Sequence, residues 1–179
     1  LEPDDLEFER YSLAVLVSNC VDIFAPEAQK RHRRLILSKQ LEMLPEAEID
    51  VSRLTIAISN LLENALKYSY PNTEITIRSH FDLSTGPTSG KAVIEIHNLG
   101  DEISLEDQER IFEPGIRGLT KAKLGRIPGT GLGLWEVKAV IEAHNGSIKV
   151  RCVPTEILRK QGQAYHVTFL ISVPLKQVP

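Results

Sequence analysis

The stretch from Asp50 to Tyr68 admits little besides an amphipathic helix. Asp50 supplies a capping carboxylate, and at about 100° per residue Leu54, Ile58, Leu61, Leu62 and Ala65 share one face. Asn60, Asn64 and Lys67 fall on another, roughly 140° away. Pro71 and Asn72 end the run. A helix with one apolar stripe must bury it against a second layer.

The neighbouring segments supply that layer. Thr73 to Phe81 alternates as a strand, Asp82 to Gly90 reads as a hairpin loop, and Lys91 to Asn98 returns. Ahead of them, Ser12 caps a helix running to about His32, with Pro26 predicting a break or kink near Phe24. Lys30, Arg31, His32, Arg33 and Arg34 read as a solvated helix end, and Leu35 to Leu41 as a short strand. Ser104 caps a helix over Leu105 to Phe112. A helix over Leu132 to Ala143 is followed by a strand from Ser147 to Val153, a loop from Pro154 to Gly162, and a last strand from Ala164 to Pro174. The expected fold is α+β: a two-layer sandwich whose mixed, mainly antiparallel sheet is covered on one face by helices.

The 179 residues fit one domain. A net charge of −3 with 25% charged residues argues against nucleic-acid binding. No apolar run approaches the roughly 20 residues of a membrane span, and no signal-peptide pattern is present, so the expectation is a cytoplasmic domain without membrane contact. Cys20 and Cys152 lie far apart without metal spacing and read as reduced thiols. No internal repeat is visible.

The turn Gly129-Thr-Gly-Leu-Gly-Leu134 opens the helix that follows it. Glycines let an anion approach the peptide N–H groups, and the helix dipole favours negative charge there. These residues alone are equally a tight turn; no Walker lysine follows. Asn60, Asn64 and Lys67 also allow two readings. Amide oxygens one turn apart can hold a hydrated hard cation, with the lysine reaching a phosphate. The same face can be solvated, with Glu63 and Lys67 as an ordinary i,i+4 pair. Glu113 to Pro128 has few apolar residues and several Gly and Pro, the pattern of a functional lid or binding loop. Trp135 reads as core packing, and the histidines show no ligand clustering. His97 is expected to alternate away from Asn98.

Taken in order, these segments resemble one family. Asn60-Leu-Leu-Glu-Asn-Ala-Leu-Lys-Tyr-Ser69 is similar to the N-box of sensor histidine kinases, and Asp50-Val-Ser-Arg-Leu54 to its lead-in. Arg110-Ile-Phe-Glu-Pro114 resembles the F-box, Gly129 to Leu134 the second glycine box, and His144-Asn-Gly-Ser-Ile148 the turn beyond it. The resemblance runs from about Tyr11 to Leu175. It implies a histidine-kinase-type ATP-binding catalytic domain over residues 11–179, preceded by a remnant or linker over 1–10 from a missing dimerisation domain.

By that resemblance Asn64 would bind Mg²⁺, Asn60 would assist with metal or phosphate, and Lys67 would contact phosphates. Tyr68 would border the nucleotide. Gly129, Thr130, Gly131, Leu132 and Gly133 would form the turn closing over the phosphates. Glu113 to Pro128 would be the ATP lid, with Arg117 facing the γ-phosphate and Lys123 and Arg126 as further lid cations.

Two boxes depart from the pattern. The first glycine box here reads Asn98-Leu-Gly-Asp-Glu-Ile103; Gly100 and Ile103 match, Asn98 replaces an aspartate and Glu102 a glycine. In the family that aspartate accepts from the adenine amine. Asn98 keeps an acceptor oxygen but loses the charge assistance, which roughly halves such a bond. Gly115 stands where a second aromatic is common, predicting a looser lid anchor. The implied activity is transfer of the ATP γ-phosphoryl to a histidine on a separate dimerisation domain, and from there to a response regulator. The chain carries no phosphoacceptor motif. The alternative is a degenerate nucleotide-sensing or partner-docking module. Asn60, in place of the glutamate of related hydrolytic ATPases, disfavours hydrolysis.

Overall fold

The computed structural model describes residues 6–82, 90–116, 131–159 and 162–177. Strand β1 (Glu9–Ser12) leads into helix α1 (Leu13–Lys30), whose cap Ser12 accepts from Val15 N at 3.3 Å. Leu13, Leu16, Val17, Cys20 and Val21 bury one face of α1. Of the break or kink expected at Pro26 there is no break: the helix runs on through it to Lys30. Pro26 and Asp22 are both exposed, so the carbonyl that loses its helical partner faces water.

Strand β2 (Arg33–Leu37) is shorter than expected; Ser38 then caps a 3₁₀ turn, Lys39–Met43, that buries Leu41. Strand β3 (Glu46–Ile49) pairs antiparallel with β1. Residues 6–10 pack on the domain: Leu6 is buried and Glu7 N donates to Asp50 Oδ2 at 3.1 Å.

Helix α2 (Val51–Tyr68) matches its prediction. Asp50 Oδ1 accepts from Arg53 N at 3.0 Å and Ser52 Oγ at 2.7 Å. Leu54, Ala57, Ile58, Leu61, Leu62, Ala65 and Leu66 are buried. Each large aliphatic among them is worth about 1.5–3 kcal/mol of transfer free energy. Strands β4 (Thr73–Asp82) and β5 (Lys91–Gly100) form the expected hairpin arms, followed by the short helix α3 (Leu105–Arg110) and by α4 (Gly133–Ala143). Strands β6 (Ser147–Arg159) and β7 (Gly162–Pro174) close the fold.

The described strands form a five-stranded sheet of order β2-β4-β5-β7-β6, in which β2 runs parallel to β4 and the other pairs are antiparallel. Ile75, Ile77, Ile94, Ile96, Phe169 and Ile171 turn inward toward α1, α2 and α4. The residues between them turn outward. The loop predicted over Pro154 to Gly162 is instead strand: β6 and β7 continue to Arg159 and Gly162. Pro154 is accommodated because β6 is an edge strand with a register shift between Pro154 and Leu158.

His144, which sequence reading left without a role, fastens the helical layer. It is fully buried; its Nε2 accepts from Asp50 N at 3.0 Å and its Nδ1 lies 2.8 Å from Val140 O. These partners fix the neutral tautomer with the proton on Nδ1. Burial lowers its pKa, consistent with that form. Among the described residues no helix is long and apolar enough to cross a membrane.

Candidate functional site

Asn60 is half-buried where α2 meets the start of α4, and Asn64, also half-buried, lies one turn further along α2. Asn60 Nδ2 donates to Glu136 Oε2 at 3.1 Å, joining the two helices. Fixing the amide nitrogen also fixes its oxygen. A Cβ on Gly133 would lie 3.8 Å from both Cγ and Oδ1 of Asn60, so the first residue of α4 faces this amide. The side-chain amide of Asn64, inside α2, makes no hydrogen bond to any described residue, which leaves its oxygen available to a cation. Lys67 Nζ lies 3.8 Å from Glu63 Oε1, the i,i+4 pair that spacing allowed. At that length the contact leaves the ammonium free to swing to a phosphate.

Helix α4 begins without a side-chain cap. Its first-turn N–H groups and dipole therefore point out of the helix toward the glycine turn. Gly131 adopts φ +74°, a left-handed conformation that glycine takes without strain. Gly131 O accepts from Gly115 N at 3.2 Å, so the residues bordering 117–130 on either side are tied together. Gly115, read as a loosened anchor, supplies this tie. The F-box ring is also seated: Phe112 is buried, edge-to-face against Phe169 with centroids 6.3 Å apart. Arg117, Lys123, Arg126, Gly129 and Thr130 lie outside the described residues. Leu132, the residue before α4, is 45% exposed, and Trp135 is equally so. Trp135 thus does not pack in the core as expected.

The third wall is the end of β5. Asn98 turns inward and is 2% exposed, and its Nδ2 has no hydrogen-bond partner. An orphaned buried amide costs about 1–3 kcal/mol unless a ligand satisfies it. Gly100 lies against the end of α2: a Cβ there would sit 2.8 Å from Tyr68 O and 3.2 Å from Asn98 Nδ2. Tyr68 is half-buried, and burial raises its pKa. Ile103 packs on the core margin, its N–H directed at Cys152 Sγ, 3.3 Å away. His97 turns to the opposite face, as alternation predicted.

Three positioning residues escaped sequence reading. Glu136 orients Asn60; its signal was an acidic residue in the first turn of the glycine helix. Arg33, assigned to a solvated cluster, instead donates through Nε to Ser69 Oγ at 2.9 Å and through a terminal nitrogen to Ser69 O. It therefore holds the C-terminus of α2. Tyr70 donates to Asp101 Oδ1 at 2.6 Å and lies under the Arg159 guanidinium, 4.1 Å from the ring centroid.

Paired amides, an uncapped glycine-led helix and a buried orphan amide, set between a helical layer and a sheet, are the features of a phosphate- and nucleotide-binding α+β domain. Sequence comparison gives the family. The profile described as histidine kinase-, DNA gyrase B- and HSP90-like ATPase matches residues 49–177, and the chain belongs to that family.

The chain is 35% identical over 140 residues to the sensor-like histidine kinase SenX3 of Mycolicibacterium smegmatis, covering 75% of this chain and 35% of that protein. It is 31% identical over 153 residues to the alginate biosynthesis sensor protein KinB of Pseudomonas aeruginosa, covering 83% and 23% respectively. It thus spans only about a third or less of these relatives. Among solved structures it superposes on the nucleotide-free catalytic domain of histidine kinase ThkA with a TM-score of 0.73 at 24% identity, over 96% of this chain and 97% of that one. For the mycobacterial sensor histidine kinase MprB the TM-score is 0.71 at 21% identity, over 96% and 100%. These superpositions establish the shared fold.

Proposed function

We propose that this chain is the ATP-binding catalytic domain of a two-component sensor histidine kinase, delivering the ATP γ-phosphoryl to a histidine on a separate dimerisation domain. The observation that carries it is the placement of Asn60 and Asn64 opposite the uncapped start of α4, within a chain whose relatives are named sensor kinases. A phosphoryl-transfer site needs positioning and charge neutralisation more than covalent chemistry.

The residues present fit a magnesium nucleotide. Asn64, its amide unpartnered, and Asn60, its amide oriented by Glu136, would hold Mg²⁺, which keeps most of its waters and neutralises phosphate charge. Lys67 and Arg117 would meet the phosphates, and the turn Gly129, Thr130, Gly131, Leu132 and Gly133 would present backbone N–H groups to them. Asn98 would read the adenine edge through its orphaned amide, beside Tyr68, Gly100 and Ile103. The residues ahead of position 11 would lead in from the dimerisation domain, and a response regulator would receive the phosphoryl group in turn.

The test is to mix this chain with its parent's dimerisation domain and γ-labelled ATP. Acid-labile label on the added domain, and none on this chain, is the expected result. A chain that binds Mg-ATP yet never labels the acceptor would instead be a nucleotide-sensing module.

A further inference from the structure

The outward face of the sheet, opposite the helices, carries a polar cleft of about 400 Å³. Register places its residues. Across the strands, His97 lies beside Thr168 and Thr168 beside Arg151, while Arg78 lies opposite Glu95. His97 Nδ1 is 3.1 Å from Thr168 Oγ1, and His97 Nε2 is 3.2 Å from His166 Nδ1. The two rings stack at a tilt of 33° with centroids 5.0 Å apart. The Thr168 hydroxyl, itself buried, thus holds one imidazole against the other.

The charges around this pair are unbalanced. Arg78 and Arg151 both line the cleft, and neither forms an ion pair among the described residues. The one carboxylate, Glu95, stands 3.9 Å from His80 Nδ1 on the neighbouring strand. Two facing imidazoles can also hold a soft metal. Here two guanidiniums oppose a cation, and no group of three metal-ligating side chains occurs among the described residues. The cleft sets two guanidiniums against the single carboxylate of Glu95, so positive charge is in excess. Its volume is that of a small-molecule pocket.

We propose that this cleft is a second ligand site, separate from the nucleotide site, that takes a small multivalent oxyanion between Arg78 and Arg151 above the His97–His166 pair. Guanidiniums pair with phosphate and carboxylate oxygens through parallel N–H bonds, and a protonated imidazole adds a further donor. Burial, and then His166, Arg78 and Arg151, hold His97 at a pKa of about 4. Bound negative charge opposes the last three causes, so a ligand of fixed charge raises the His97 pKa and takes up protons as it binds.

The test is a titration of the ¹⁵N-labelled chain with inorganic phosphate and with citrate, at ionic strength matched by sodium chloride. The imidazole and guanidinium resonances are followed throughout. Saturable shifts of His97 and His166, with a raised His97 pKa, are expected. They should persist in Asn64→Ala and with a saturating nucleotide analogue present. Arg78→Gln and Arg151→Gln alter exposed side chains and should each weaken binding about fivefold or more. Citrate should bind more tightly than phosphate if the ligand spans both guanidiniums. The proposal fails if chloride alone reproduces the shifts, if both arginine variants bind as the parent does, or if phosphate shifts only the glycine-turn resonances. Saturation by Zn²⁺ and not by either oxyanion would assign the imidazole pair to a metal instead.

Discussion

Gly100→Ala tests how closely the nucleotide-site wall is fitted to the sheet. The added methyl would stand 2.8 Å from Tyr68 O and 3.2 Å from Asn98 Nδ2. Ordinary carbon–oxygen contact begins near 3.4 Å, so a gap of about 0.6 Å must open. The Tyr68 carbonyl does not yield freely. Tyr68 ends α2, Tyr70 N donates to Leu99 O at 2.9 Å, and Ser69 bridges Gly100. Opening the gap strains or breaks these backbone bonds. Overpacking of this kind costs about 1–3 kcal/mol, and a weakened backbone bond about 1 kcal/mol more. A loss of about 2–4 kcal/mol follows, or roughly 4–16 °C in Tm for a chain of this size. Nucleotide affinity should fall as well, because Asn98 and the end of α2 move apart. Gly133→Ala is the control: its methyl would meet Asn60 at 3.8 Å, an ordinary contact. Urea denaturation of both variants reads the difference. If Gly100→Ala costs under about 0.5 kcal/mol, or if Gly133→Ala costs as much as Gly100→Ala, the close fit of β5 against α2 is refuted.

Further outcomes follow from the same geometry. Asn98→Asp replaces the amide with a charge-assisted acceptor; calorimetry should show adenine-nucleotide affinity rising several-fold, while urea melts show lower stability from a carboxylate at a site 2% exposed. Unchanged affinity would remove Asn98 from base recognition. Arg33→Gln removes the ties to Ser69 and should lower stability by about 1–2 kcal/mol, read as a shift in urea midpoint. Stability should decline as pH falls from 8 to 5. His144 and His97 are both held neutral below the ordinary imidazole pKa near 6.5, so the unfolded chain binds protons that the folded chain does not. That loss begins near 6.5 and for His97 continues to about 4. In His144→Asn the slope should flatten but persist; an unchanged slope would show that His144 does not contribute. Asp50 acts at lower pH. Burial pushes its carboxyl up, but bonds from Arg53 N, Ser52 Oγ and Glu7 N, with His144 nearby, outweigh that and hold it below the usual value, so its contribution is lost only under strong acid.

Local signals made much of this architecture readable. Helix α2 announces itself through a capping aspartate and an unbroken apolar stripe, and both operate within a few residues. The β4–β5 hairpin shows the same clarity because Ile75 and Ile77 alternate with polar residues. What sequence reading missed depends on distant partners. The strand Glu9–Ser12 carries no apolar alternation, and Glu46–Ile49 alternates over only four residues, too short a run to stand out before its pairing with Glu9–Ser12 is known. Pro154 looked like a strand terminator because nothing local reveals that β6 lies at an edge. Pro26 read as a break or kink because its solvent-facing side was unknown. At the candidate site, Asn60 and Asn64 stood out by their spacing on one helix face, whereas Asn98 and Gly100 were singled out only through the resemblance of their segment to a glycine box. Glu136, Arg33 and His144 act by reaching across the fold, over separations of 76, 36 and 94 residues, which no spacing rule detects.

The most direct measurement is a calorimetric titration of the chain with a Mg-ATP analogue, beside Asn64→Ala. Binding in the chain, strongly weakened in the variant and equally weakened in the parent when Mg²⁺ is withheld, is the predicted result. A folded chain that binds no nucleotide, or one whose affinity is indifferent to both Asn64 and Mg²⁺, would contradict the placement of the metal and phosphate site between α2 and the start of α4.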